Sequence, residues 1–372
     1  MTKWILDGLF RMQMPSLPIG CGVALLLLMG SHAVADDLAK DAPIGPYANG
    51  QSTFTIFAYH RFGEQRYPST NISIDVFAAQ LAFLKQHGFT VLSLGQALEG
   101  LHTPAGLPDK TAVLTVDDGY QSFLTGAMPL LRQHDYPATL FINTDQVGKP
   151  GFLDWPALIS LVAEGVEMGN HSASHTHFLN LDSDRRLARF HADLEQAQAA
   201  IARHLGESSR LFSYPYGEYD LAMQKALQGA GFTAATAQNS GAVHRGSDMF
   251  ALPRFPMGGP YATLDGFSQK IGMKPLPLIG QKPRSPVLGP TNPPELRLTL
   301  GNGLNLRGLQ FFVQGTPQAG FKPDPADPGT LVLKADSPLR NRRTLYTVTA
   351  PSLDGQYWHW FSHMWIRPEI PE

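Results

Sequence analysis

Strand-like and helix-like segments alternate from Thr53 to about Met273, and this alternation limits the folds open to the chain more than any other feature. Helical spacing of apolar residues is clearest at 75–87, 184–205 and 221–229. Short apolar segments between the helices are the predicted strands, at residues 54–58, 90–92, 112–116, 138–143, 166–169, 211–214, 233–237 and 251–254. Strands and helices alternating in this number predict an α/β fold with a parallel sheet closed into a (β/α) barrel.

Side chains suited to chemistry follow several of these predicted strands. Asp117 and Asp118 come directly after the strand at 112–116 and precede Gly119. A glycine allows the chain to turn there, so that two adjacent carboxylates can point into one site instead of to opposite faces. Two carboxylates held together need a cation or a shared proton. Other polar residues at predicted strand ends, where barrels place their active sites, are Tyr59, His60, His171, Tyr216 and Arg254.

Two histidines are the predicted partners of the carboxylates. His171 and His175 are four residues apart, and on a helix this spacing would place both imidazoles on one face, as a shared metal requires. His177 is an alternative ligand two residues further on. Each motif taken singly also has an ordinary structural explanation, because paired Asp residues are common in solvated turns and His pairs on helix faces.

Thr-Val-Asp-Asp-Gly at 115–119 and His-Ser-Ala-Ser-His at 171–175, in this order, resemble the motifs of the polysaccharide deacetylase family, also known as carbohydrate esterase family 4 or the NodB-homology domain. The resemblance implies that Asp117 is a general base and that Asp118, His171 and His175 bind one divalent metal ion. Zinc fits this set, and iron, cobalt and nickel stay open because oxygen and nitrogen ligands are mixed. The resemblance also implies a distorted, incomplete barrel.

The layout is most similar to a circularly permuted branch of this family, typified by poly-N-acetylglucosamine deacetylases of biofilm export systems. There the catalytic acid lies in an N-terminal Tyr-His, which implies that His60 is the general acid; a partly buried structural histidine is the alternative. Pro-Tyr-Gly at 215–217 matches the third motif and implies that the Tyr216 backbone N–H binds an oxyanion. The arginine usual before that motif is missing, and Arg254 is either its substitute or a surface or structural residue.

The function implied by the resemblance is metal-dependent removal of the N-acetyl group from N-acetylglucosamine units of an extracellular or cell-wall polysaccharide, with release of acetate. The expected partner is therefore an N-acetylated polysaccharide, whose identity stays open. An inactive polysaccharide-binding protein on the same fold, a metal amidohydrolase acting on another amide, and a cell-wall structural protein are the alternatives. The formal net charge of -2, without a basic stretch, argues against nucleic acid as a partner.

The first residues have the pattern of an export signal. The apolar run at 21–29 follows basic residues and precedes Ala-Val-Ala, so residues 1–35 are predicted to be a signal peptide, followed by a leader at 36–52. The run is shorter than the roughly 20 residues that span a bilayer. We expect no stable membrane insertion after cleavage and a periplasmic or secreted protein, with an uncleaved anchor as the alternative. Cys21 is the only cysteine, so the mature chain would contain neither disulfides nor a catalytic thiol.

A change of composition near the C-terminus predicts a second domain. The predicted catalytic domain at 53–280 is followed by a proline-rich linker at 281–296 and by short alternating segments at 297–372. Such segments predict a small all-β sandwich that folds separately. Aromatic residues near its end could stack on sugars, although filling the sandwich core is the favoured interpretation; they are Trp358, Trp360 and Trp365.

Overall fold

The computed structural model describes residue 47, residues 51–316 and residues 319–372. The predicted signal peptide at 1–35 and all but residues 47, 51 and 52 of the predicted leader lie outside the described residues. The described residues belong to one compact unit. Within the described ranges, none of the helices combines the length and the apolar character needed to cross a bilayer.

The first part of the chain folds as alternating strands and helices. The helices are α1 (Ile74–Gln86), α2 (Leu94–His102), α3 (Met128–His134), α4 (Trp155–Ala163), α5 (Ser183–Leu205), α6 (Leu221–Gly229) and α7 (Leu264–Ile271). The strands are β1 (Thr53–Tyr59), β2 (Arg61–Phe62), β3 (Asn71–Ile72), β4 (Thr90–Leu92), β5 (Thr111–Val116), β6 (Thr139–Ile142), β7 (Glu167–Asn170), β8 (Leu211–Ser213), β9 (Ala234–Thr236), β10 (Ala242–His244) and β11 (Phe255–Pro256).

Nine of these strands form one curled sheet with the order β10-β1-β5-β6-β7-β8-β9, in which β4 also pairs with β5 and β11 with β1. All pairs are parallel except β1 with β10. The sheet is a half-barrel, as the family resemblance implied, and not the closed barrel that the alternation predicted. Strands β1 and β5 are buried along their whole length. Because both faces of these strands are buried, their sequences do not alternate between apolar and charged residues.

The gap between β9 and β1 is spanned by an irregular segment, and here the predicted strand at 251–254 is wrong. Leu252 makes a single bridge to Thr236, and only Phe255–Pro256 pair with β1. Pro253 lies between these two points. Proline has no N–H to donate, so it interrupts a hydrogen-bonded ladder. Each of the other predicted strands overlaps an observed one.

The last part of the chain is all-β, as predicted. Its strands are β12 (Lys274–Pro275), β13 (Leu278–Lys282), β14 (Glu295–Leu300), β15 (Gln310–Val313), β16 (Ala319–Asp324), β17 (Asp327–Ala335), β18 (Arg343–Pro351) and β19 (Trp358–Ile366). They form two four-stranded sheets, ordered β12-β19-β18-β15 and β13-β14-β17-β16, and one apolar cluster contains residues of both. The arrangement as a sandwich stays a prediction, as do the boundaries at 280 and 296; β12 and β13 begin within the predicted catalytic domain.

Strand β19 connects the two parts of the fold. Trp365 is 2% exposed and lies in the apolar cluster of the C-terminal sheets. On the other face, Met364 and Ile366 belong to a cluster with residues of β8 and α6. Trp360 meets Phe255 edge to face at 5.4 Å between ring centroids, and its indole N–H donates to Ser240 Oγ at 2.9 Å. Two cores therefore share one strand, which is a physical reason against separate folding of the C-terminal sheets.

Candidate active site

The two adjacent carboxylates lie where β5 ends. The Asp117 N–H donates to Tyr59 O at 2.9 Å, which continues the β1–β5 ladder by one residue. Asp118 then has a φ of 77° and Gly119 a φ of 73°. Left-handed backbone at two consecutive positions turns the chain sharply. This conformation costs energy for a residue other than glycine, so the surroundings of Asp118 must stabilise it. Both carboxylates are buried at the same end of the sheet.

The structure brings Asp118, His171 and His175 together. Asp118 Oδ1 lies 3.5 Å from His171 Nε2 and 3.3 Å from His175 Nε2. One ligand atom from each residue falls within 4.8 Å of the others, a spacing that can hold a metal ion. His171 and His175 are close without sharing a helix, and their ring centroids are 4.9 Å apart.

The two histidines do not owe their proximity to a helix, the condition under which their spacing would give them a common face. The segment is a turn after β7 in which Ser172 and His175 have φ values of 67° and 53°. Polar side chains take the backbone N–H groups that a helix would use: Asn170 Oδ1 accepts from Ser172, Asp193 Oδ1 from Ala173 and Ser172 Oγ from His175. Such side-chain hydrogen bonds compete with helical ones, and here they set the positions of both imidazoles.

The two imidazoles each direct one ring nitrogen towards Asp118. His171 Nδ1 lies 2.7 Å from Ser213 O and donates to it, which leaves Nε2 facing Asp118. Burial lowers the pKa of His171, but the carboxylates of Asp117 and Asp118 raise it overall. Burial lowers the pKa of His175 to about 4, so this ring is neutral near neutral pH. Nε2 of each imidazole and a carboxylate oxygen thus converge, and a divalent ion bound there would displace the proton that the carboxylates favour on His171. Three such ligands fit a divalent ion and leave positions for water and substrate.

Asp118→Asn and His171→Ala are each expected to weaken metal binding by at least about tenfold, because each removes one of three ligands. Metal content after dialysis and titration calorimetry with zinc measure the effect. His177→Ala is the matched control, since His177 Nδ1 and Nε2 lie 3.1 Å and 3.2 Å from carboxylates of Glu218 and Glu372 and not in the trio. Parent-like affinity in both ligand variants would show that the trio does not hold the metal.

Arg254 forms a buried, forked pair with Asp117. Its Nη1 and Nη2 donate to the two carboxylate oxygens at 2.8 Å and 2.7 Å, and Arg254 and Asp117 are 1% and 0% exposed. Arg254 is therefore not a surface residue. Burial raises the pKa of Asp117, but the Arg254 guanidinium and the nearby His171 together lower it to about 2. Asp117 is thus ionised at neutral pH, with its orientation set by two parallel hydrogen bonds.

His60 follows β1 at the same edge of the sheet and is half-buried. Burial raises the pKa of Asp118, yet the hydrogen bond to His171 and the charge of His60 hold that pKa well below its usual range, so His60 is within electrostatic reach of the carboxylates. His244, which would be a candidate for the acid if His60 were not, pairs with Thr53 at the opposite end of β1. With a strand rise of about 3.3 Å per residue, this places it roughly 20 Å away.

Tyr216 lies in the turn after β8, at a φ of 59°. Its ring stacks on His177 with centroids 3.5 Å apart and is tilted against His175 at 4.4 Å. Gly217 is required next in the chain, because a Cβ there would lie 2.5 Å from the Gln238 side chain. The turn therefore brings the Tyr216 ring beside one of the histidines of the trio.

Two residues that shape the site escaped the sequence analysis. Ser213 accepts from His171 through its carbonyl and from Arg254 through its hydroxyl, at 2.7 Å and 3.0 Å. Nothing in its surroundings in the sequence marks it. Asp193 supports the histidine turn from α5, where it is buried among apolar residues such as Phe190 and Ala197. A carboxylate on the apolar face of an amphipathic helix is a signal that could have been read.

Comparison with known proteins agrees with these observations. Residues 105–235 match the family model described as "Polysaccharide deacetylase". The poly-beta-1,6-N-acetyl-D-glucosamine N-deacetylase of Staphylococcus epidermidis is 24% identical over 225 residues, which cover 56% of this chain and 77% of that protein.

Solved structures resemble part of this fold. IcaB from Ammonifex degensii has a TM-score of 0.51 and 27% identity, over 59% of this chain and 96% of that one. The Streptococcus pyogenes deacetylase PplD, in complex with acetate, has a TM-score of 0.54 at 18% identity, over 59% of this chain and 99% of that one. The matched motifs, the half-barrel and the grouping of aspartates and histidines lead to one conclusion: the chain contains a domain of the polysaccharide deacetylase family.

Proposed function

We propose that this protein removes the N-acetyl group from N-acetylglucosamine units of an exported polysaccharide, releasing acetate, with one bound divalent metal ion. The observation that carries the proposal is the buried Asp117–Arg254 pair beside the trio of Asp118, His171 and His175. A ligand set with an ionised, oriented carboxylate next to it is what metal-assisted amide hydrolysis requires. The name of the staphylococcal relative supports the sugar.

A divalent ion held by the trio would polarise the amide carbonyl and make water a better nucleophile. Asp117 accepts the proton of the attacking water through Oδ1, which keeps a lone pair free beside its bond to Arg254. The Tyr216 backbone N–H donates to the oxyanion. His60 donates a proton to the departing amine. Zinc is the first choice of metal, with iron, cobalt and nickel as alternatives.

The expectations on partner and location belong to the same proposal. The substrate is an N-acetylated polymer met after export, in the periplasm or outside the cell. A binding protein on the same fold, without catalysis, has less need of the Asp117–Arg254 pair, because a fully buried ion pair is costly to desolvate. A metal amidohydrolase acting on a different amide would share the site, and only substrate experiments separate it from the present proposal.

Acetate release tests the proposed function. The protein, with zinc, cobalt or nickel added back, is expected to release acetate from β-1,6-linked N-acetylglucosamine oligomers, and mass spectrometry is expected to show the matching loss of acetyl mass. Chitin oligomers and peptidoglycan form the comparison panel, and chelation is expected to abolish turnover. Acetate from none of these sugars, but turnover of small amides, would favour the amidohydrolase; sugar binding with no turnover would favour the binding protein.

A further inference from the structure

Arg342, which directly precedes β18, is buried beside the rim of the candidate active site and is 5% exposed. Its Nε and Nη2 donate to the two oxygens of Glu218 at 2.6 Å and 2.7 Å. Nη2 also donates to Asn180 Oδ1 at 2.8 Å, while Nη1 donates to Pro368 O and Ile370 O at 2.9 Å and 2.8 Å. One guanidinium from the C-terminal sheets thus has all of its donor nitrogens engaged.

The partners of Arg342 lie on two loops that carry site residues. Glu218 comes two residues after Tyr216, and its N–H donates to Pro215 O, so its position is tied to that turn. Asn180 ends the short helical turn that follows the histidine segment. Glu218 is 3% exposed, and a carboxylate that deep needs an opposite charge. Burial raises the pKa of Glu218, but its hydrogen bonds with Arg342 and His177 lower it overall, so Glu218 is ionised and the pair is charged.

The same carboxylate also belongs to a group of His177, Glu218 and Glu372 whose spacing could admit a cation. Two guanidiniums already face Glu218, however, since Arg343 Nη1 lies 3.1 Å from Glu218 Oε1 in addition to the fork from Arg342. A metal ion would have to compete with both positive charges. The group is therefore an ion-pair network in which Glu218 already has two opposite charges.

We propose that Arg342 is a positioning residue for deacetylation, acting through Glu218 on the turn that carries Tyr216. Tyr216 has left-handed backbone, which costs energy and persists only where the surroundings impose it. The two hydrogen bonds from Arg342 to the Glu218 carboxylate supply this constraint from outside the half-barrel. The inference rests on the proposed function, because it assigns the Tyr216 N–H to the oxyanion. It makes the C-terminal sheets part of the catalytic apparatus.

Arg342→Gln is expected to lower kcat, per metal-loaded chain, by about 10- to 100-fold, part of the loss seen when an oxyanion donor is removed. KM and zinc affinity are expected to stay within about threefold of the parent, because the trio keeps its own supports. Arg342→Lys retains the charge but not the fork and is expected to recover only part of the loss. Arg367→Gln is the control: this arginine also binds a C-terminal carbonyl, Leu339 O, but does not touch Glu218.

Amide hydrogen exchange gives a second readout that needs no substrate. Faster exchange is expected at residues 214–218 in Arg342→Gln and not in Arg367→Gln. A folded Arg342→Gln with parent-like kcat and exchange overturns the inference. If that variant does not fold, Arg342→Lys decides, and full kcat there with unchanged exchange also overturns it. A parent that releases no acetate refutes the proposed function, while the exchange result still decides whether Arg342 holds the turn.

Discussion

Asp117→Asn is expected to lower kcat by roughly 10²–10⁴-fold while the metal content stays at that of the parent. The substitution keeps the shape of the side chain and removes the charge that accepts the proton of water. Asp117 is paired with Arg254 and is not one of the trio of Asp118, His171 and His175, so metal binding does not depend on it directly. Acetate release and metal analysis on the same preparation measure both quantities, and Asp118→Asn is the control that loses both.

His60→Ala is expected to show a loss of the same order, because the departing amine then lacks its acid. His244→Gln is the matched control: this histidine lies at the far end of β1, where it pairs with Thr53. Near-normal turnover in His60→Ala would contradict the permuted assignment. Reduced turnover in His244→Gln together with normal turnover in His60→Ala would identify His244 as the general acid, although the structure places it far from the carboxylates.

A chain ending at Gly280 is expected to be insoluble or largely unfolded, contrary to the separate folding that the sequence predicts. Trp360 packs against the half-barrel, Met364 and Ile366 lie in one of its clusters, and Glu218 would lose its buried partner Arg342. Uncovering each aliphatic side chain costs roughly 1.5–3 kcal/mol. An unpaired buried charge costs about 3–5 kcal/mol more. Their sum is comparable with the whole stability of a typical domain, about 5–15 kcal/mol.

Solubility, size-exclusion chromatography and thermal unfolding test the truncated chain. In the full-length protein, Met364→Ala is expected to lower the free energy of unfolding by about 2–5 kcal/mol, because it leaves a cavity under the half-barrel. Phe321→Ala is the control; this residue lies on the C-terminal sheets but is exposed, and a change within about 0.5 kcal/mol is expected. A soluble truncated chain that unfolds cooperatively at the parent's temperature would restore the interpretation as an independent domain.

The sequence predicted those site residues whose position depends only on where a single strand ends. Apolar runs followed by polar residues located Asp117, Asp118 and His171 at strand ends, because the carboxyl ends of parallel strands meet at one edge of a sheet. The spacing of His171 and His175 would give them a common face on a helix, but the segment is a turn. Asp193, 20 residues beyond Ala173, overrides the local preference through a hydrogen bond that no short window contains.

What the sequence alone determined is therefore the α/β class, the family motifs and the three residues that the structure brings together, Asp118, His171 and His175, all of which follow from local periodicity and short motifs. The tertiary structure decided which distant charges meet: Arg254 reaches Asp117 across 137 residues, and Arg342 reaches Glu218 across 124. Such pairs depend on how far the sheet curls and on how β19 lies against it. The curvature of the sheet and the position of β19 are set by the packing of many side chains at once, and a short segment of sequence does not contain that information.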